Sequence, residues 1–145
     1  MKRSHDGPSS SPRASIKAGF AYFLGVFLVA FCLGAIRTLV VAPRVGATAA
    51  VLLETPIILV VSWWVSRWCT QRFNVPAATP DRALMGAIAF AVLMIAEFAL
   101  STVLTDRSPA EYAATFASVP GASGLLAQVG FAVIPWLQLR IATRN

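Results

Sequence analysis

Charge is what this sequence has least of. Only 12% of its 145 residues are Asp, Glu, Lys or Arg, whereas 57% are hydrophobic, and the mean hydropathy is +0.71. Water-soluble domains run near a quarter charged. A soluble domain this small has too little interior to hide so much apolar surface, so the composition excludes that class and points to a bilayer as solvent. Histidine is nearly absent too. The single one, His5, lies in a polar stretch far from both cysteines, which excludes a Cys/His metal site. Cys32 falls in the middle of one apolar run and Cys69 just past another, so depth argues against a disulfide between them. There is no glycine-rich phosphate loop, no Ser–His or Ser–Lys pairing and no other catalytic signature. The expectation is a protein that is not an enzyme and needs no cofactor. The apolar runs do not alternate with polar residues, which excludes transmembrane strands.

Acids are scarce beside bases, giving a net charge of +6 and a pI near 10.4. In a soluble chain that balance suggests nucleic acid. Here it fits the basic bias of cytoplasmic loops in membrane proteins, and no nucleic-acid partner is expected. Arginine far outnumbers lysine, which is present only as Lys2 and Lys17. That ratio hints at a GC-rich bacterial genome and hence a bacterial cytoplasmic (inner) membrane.

What is present is four long apolar segments, at about 18–42, 46–66, 83–104 and 124–141. Each is close to the roughly 20 residues a helix needs to cross the hydrocarbon core. The fold expected is an all-α, four-transmembrane-helix bundle. Residues 1–17 are basic and rich in Ser and Pro and read as a disordered arm. An apolar start this long, with no small-x-small site behind it, reads as a retained first span rather than a cleaved signal. Pro43, Arg44 and Val45 form so short a link that the first two helices must be an antiparallel hairpin. Phe73–Arg82, with Pro76 and Pro80, reads as an ordered non-helical loop. Ser108, Pro109 and Glu111 match a capping box with proline at the first helical position. A short interfacial helix carrying Tyr112 and Phe116 on one face is expected there, with Gly121 and Gly124 turning into the last span.

Basic residues give the orientation. With the amino terminus inside, the cytoplasm receives Lys2, Arg3, Arg13, Lys17, Arg67, Arg72, Arg82, Arg140 and Arg144, and the far side only Arg37, Arg44 and Arg107. That asymmetry predicts both termini inside. Trp63, Trp64, Trp68 and Trp136 cluster at the inner level, where an indole keeps its ring in apolar surroundings and its N–H near water.

Polar groups within the spans are the candidate functional residues. A charge at the centre of a lipid-facing helix costs on the order of 3 kcal/mol, so such groups face protein or water. Counted at helical rise from the outer ends, Glu54 lies about 12 Å deep, Glu97 about 10 Å, Arg37 about 7 Å and Gln128 about 6 Å. Each helix therefore brings one polar residue to the outer leaflet, which predicts a cluster with Arg37 reaching Glu54 across the hairpin. Small neighbours such as Gly34, Ala50 and Gly124 on the same stripes favour close helix approach. One arginine leaves one of the two carboxylates without a cation.

Two readings follow. The leading one is a structural or accessory membrane component, its partners the bilayer and either further copies of itself or other membrane proteins. The alternative is a small proton-linked transporter or channel acting as an oligomer, using the intramembrane glutamates. Four helices of this length enclose little space, so a path between subunits is expected in that case.

Overall fold

In the computed structural model residues 11–144 are described, and everything placed in residues 1–10 above lies outside them. The described chain is helical, with no strand among its residues. The elements are α1 (Pro12–Ile36), a π-helical stretch Arg37–Val41, α2 (Ala42–Val45), α3 (Ala47–Arg72), α4 (Thr79–Thr105), α5 (Pro109–Thr115) and α6 (Val119–Ala142). Four helical stretches are long and apolar enough to cross a membrane, as expected of a multi-pass membrane protein. The first runs unbroken through α1, the π-helical stretch and α2 for 34 residues. At 1.5 Å per residue that is about 51 Å, well beyond a hydrocarbon core of about 30 Å.

Every span begins or ends further out than hydropathy alone suggests, each time for a local reason. Residues 12–17, expected in the disordered arm, belong to α1. Its first turn is held from another helix, because the Asp81 carboxylate accepts hydrogen bonds from the Ser11 N–H at 3.0 Å and the Ser15 hydroxyl at 3.1 Å. Pro43, Arg44 and Val45 are helical, and the hairpin turns on Gly46 alone, whose φ of 84° disfavours any residue with a Cβ. The loop after α3 is shorter than expected. Asn74 sits at φ 52° while Val75 N–H bonds the Thr70 carbonyl at 3.0 Å and Asn74 N–H the Gln71 carbonyl at 3.3 Å. This paired closure of a helix C-terminus suits asparagine, which tolerates left-handed backbone. Pro80 and Arg82 then fall inside α4, where a first-turn proline loses no intrahelical bond. Gly121 and Gly124 lie in α6, and the turn before it is Phe116–Ser118, with the Ser118 hydroxyl accepting from Gly121 N–H.

The four long helices form a ring. α1 packs on α3 and α4, and α6 packs on the same two. The chain thus makes two antiparallel hairpins, α1/α3 and α4/α6, laid side by side. Packing is uneven along the bundle. Ala18, Tyr22, Cys69, Met85 and Ala89 are fully buried, and all belong to the half that holds the two chain ends. Glycine makes close approach possible there, since a Cβ on Gly19 would come within 2.8 Å of the Met85 carbonyl. In the other half, which ends in Gly46 and α5, the hairpins diverge.

Pro135, in the middle of α6, lacks the N–H that would bond the Phe131 carbonyl four residues back. The Tyr22 hydroxyl takes that place from α1, donating to Phe131 O at 2.8 Å with its ring stacked on Phe131. Tyr22→Phe leaves a buried carbonyl without a partner, for an expected loss of about 1–3 kcal/mol. In a Pro135→Ala background the restored N–H takes the carbonyl, and most of that loss should vanish. A double-mutant cycle of thermal unfolding in detergent measures the coupling. Equal losses in both backgrounds would show that the hydroxyl does not compensate for the proline.

Candidate functional site

The divergence of the hairpins leaves a partly open cavity of about 750 Å³ in the half of the bundle that holds Gly46 and α5. Its floor is the packed half, where Val26, Ile58, Ser62, Leu93 and Phe131 close it off. Its rim is built by the segment between α4 and α6. Ser108 caps α5 as the sequence suggests, with Glu111 N–H donating to the Ser108 hydroxyl and Ser108 N–H to the Glu111 carboxylate. Those bonds from Ser108 hold the Glu111 carboxyl below the usual glutamate range. So capped, α5 carries Tyr112 over the cavity, edge-on to Phe98 of α4 and to Phe116.

All four polar residues singled out from the sequence line this space, in two pairs rather than one network. Arg37 Nε lies 2.6 Å from Glu54 Oε2, an ion pair with about a third of the arginine and a fifth of the glutamate side chain exposed. Gln128 Nε2 lies 2.7 Å from both carboxylate oxygens of Glu97. Each pair joins the two helices of one hairpin, and the cavity separates the pairs. The π-helical stretch begins at Arg37 itself. π-Helical turns of this kind mark functional positions more often than chance.

The two carboxylates are therefore unequal. Glu54 has a cation. Glu97 has only a neutral amide, and no Lys, Arg or His reaches it within ion-pair distance among the described residues. A carboxyl in apolar surroundings without a cation must hold a proton or attract a positive group.

Unmet hydrogen-bonding capacity gathers in the same place. Among the described residues, buried side-chain polar atoms with neither a hydrogen bond nor an ion-pair contact are Ser101 Oγ, Tyr112 OH, Gln128 Oε1 and Asp81 Oδ2. The first three belong to residues lining the cavity. Native interiors leave few such groups, and they gather where a ligand or water completes the set. Burial raises the Tyr112 phenol above its usual pKa, and the Glu97 charge adds to it, so the hydroxyl keeps its proton as a donor at neutral pH.

A second polar layer escaped the sequence reading. In the packed half, the Ser66 hydroxyl donates to Gln138 Oε1 at 2.9 Å and Gln138 Nε2 donates to the Trp63 carbonyl at 2.7 Å, tying α3 to α6. Asp81, 2% exposed, ties α4 to α1 in the same half. Gln138 was visible as a polar break in the last span. Asp81 was hidden because it lies just outside an apolar run, where an acid reads as loop. The clue was Thr79-Pro80-Asp81, a proline and an acid in what is a helical first turn.

Fold and site together define an all-helical bundle of two hairpins with a mostly apolar cavity at one end, into which four polar and charged side chains reach. Comparison with known protein families, with characterised proteins and with solved structures finds no match for the chain.

Proposed function

We propose that the protein is a multi-pass membrane protein that binds a small amphipathic molecule in this cavity, as a proton-linked carrier. A cavity that reaches both intramembrane glutamates and leaves one of them without a cation is the observation that supports this reading over a purely structural one. At about 750 Å³ it falls within the range typical of small-molecule sites. One chain encloses it, so a second copy is not required to make room, although a four-helix ring was expected to hold little space. In this reading the chain ends lie in the cytoplasm and the cavity in the outer leaflet of a bacterial inner membrane, with α5 at the interface, and the bias of basic residues toward the chain ends supports that orientation. In this reading Glu97 is where a proton and the ligand's positive group exchange, Gln128 orients it, and Arg37–Glu54 holds the opposite wall. No reaction is assigned, and the protein is not read as an enzyme.

A structural or accessory role is the second reading, favoured by Arg37–Glu54, which fixes one hairpin without needing a ligand. Two variants separate them. Purified protein in weakly buffered detergent should release protons when tetraphenylphosphonium, a lipophilic cation, is added. Glu97→Gln should accumulate like the wild type and lose at least tenfold of that release. Glu54→Gln should lower accumulation, since it leaves Arg37 unpaired. If Glu97→Gln fails to accumulate and the wild type releases no proton, the carrier reading is wrong and the structural one stands.

A further inference from the structure

We infer that the ligand is a zwitterionic phospholipid with a free amine, and that it enters sideways from the bilayer between α1 and α4. The inference rests on the binding reading above and names its substrate class and route.

The route comes from a second space of about 500 Å³ between α1 and α4. Phe27, Ala30, Arg37, Leu93, Glu97 and Leu100 line both this cleft and the main cavity, so the two adjoin along a shared wall. The outer lip of the cleft is apolar and exposed, with Phe31 at 54% and Leu39 at 77%. Such a lip faces acyl chains in a bilayer, and a hydrocarbon tail in the cleft meets only more of the same. The π-helical stretch supplies part of this wall through Arg37, Thr38 and Leu39.

The head group follows from the charges at the passage. The charged residues lining the main cavity are Arg37, Arg107, Glu54 and Glu97, two of each sign. A head group that carries both a cation and an anion can meet both signs at once. Arg37 and Glu97 line both spaces, one on each helix, so opposite charges flank the passage. A guanidinium has five N–H donors, and only Nε faces Glu54. The N–H groups on the two Nη atoms match the paired oxygens of a phosphate. A primary ammonium brings three donors to Glu97, to the unpartnered Gln128 Oε1 and to Ser101 Oγ. A quaternary ammonium has none, so a choline head would leave those acceptors unmet. Selection of amine over choline follows from that difference.

Native mass spectrometry of the full chain from mixed micelles tests this, with dioleoyl phosphatidylethanolamine and dioleoyl phosphatidylcholine in equal amounts. Retention of the amine lipid should exceed that of the choline lipid at least tenfold, and Glu97→Gln should abolish the preference. Ala35→Trp and Thr38→Trp place bulk in the cleft at exposed positions that do not line the main cavity. Both should cut lipid retention at least tenfold while leaving proton release by tetraphenylphosphonium, which has no tail, unchanged. Equal retention of the two lipids overturns the head-group assignment. Full retention in both tryptophan variants overturns the sideways route. Loss of lipid preference with proton release intact would sink this inference and leave the carrier reading standing, whereas loss of both sinks the two together.

Discussion

Replacing Gly86 by leucine is expected to abolish the folded bundle. A Cβ at this position of α4 would overlap the backbone carbonyl of Ala132 in α6. Backbone within a helix cannot rotate aside as a side-chain tip can, so the two helices would have to separate. Overpacking a well-filled site costs about 1–3 kcal/mol even where side chains can yield. Here the displaced contact is the floor of the cavity and the packed half beneath it, with Met85 and Phe131 on either side of the crossing. Gly86→Ala should already lower thermal stability, and Gly86→Leu should reduce the monodisperse fraction after detergent extraction by roughly tenfold or more. Gly34→Ala is the control. Its Cβ would meet nothing nearer than the flexible end of Arg37 at 3.9 Å, so it should behave like the wild type. A monodisperse, thermally normal Gly86→Leu protein would mean that α4 and α6 do not cross as described.

Why some of this could be read in the sequence and some could not is a matter of which interactions leave a pattern. Four long apolar helices were legible because a bilayer demands some 20 apolar residues in a row, and little else produces such runs. The pairing of Arg37 with Glu54 was legible too, since a tight turn forces a hairpin and depth then matches partners. Depth put Glu97 and Gln128 at one level, but in a single cluster with Arg37 and Glu54, and the division into two pairs was not legible. Helix ends were poorly legible, because hydropathy marks where a segment stops being apolar and not where its hydrogen bonds stop. Pro12 and Pro80 read as part of an arm and of a loop, yet each occupies the first turn of its helix, where proline is compatible. The splaying of one half against the other was not legible at all. It depends on which glycine meets which backbone, as Gly86 meets Ala132, and that is a property of two segments together.

Asp81 is likewise a residue whose role exists only between two segments. An acid at the head of an apolar run looks like solvated loop, and nothing in its own neighbourhood says otherwise. Folding brings it against the start of α1, where the Ser11 N–H and the Ser15 hydroxyl both bond its Oδ1. It therefore serves two helix starts at once. It places negative charge in the first turn of α4, and it caps α1 from outside that helix. Asp81→Ala leaves the Ser11 N–H without its acceptor and the buried Ser15 hydroxyl with only the Ser11 carbonyl at 3.2 Å. A hydrogen bond to a charged group is worth about 1.5–3 kcal/mol, so the expected loss is about 2–3 kcal/mol, a sizeable share of a small domain's stability. In detergent this should appear as a drop in unfolding temperature on the order of 10 °C. Asp81→Asn keeps one carbonyl oxygen for both donors and should lose much less. Because residues 12–17 depend on this contact, cleavage by a protease at Arg13 and Lys17 should accelerate in Asp81→Ala and stay slow in Asp81→Asn. Equal protection in all three proteins would show that α1 holds its first turn without help from α4.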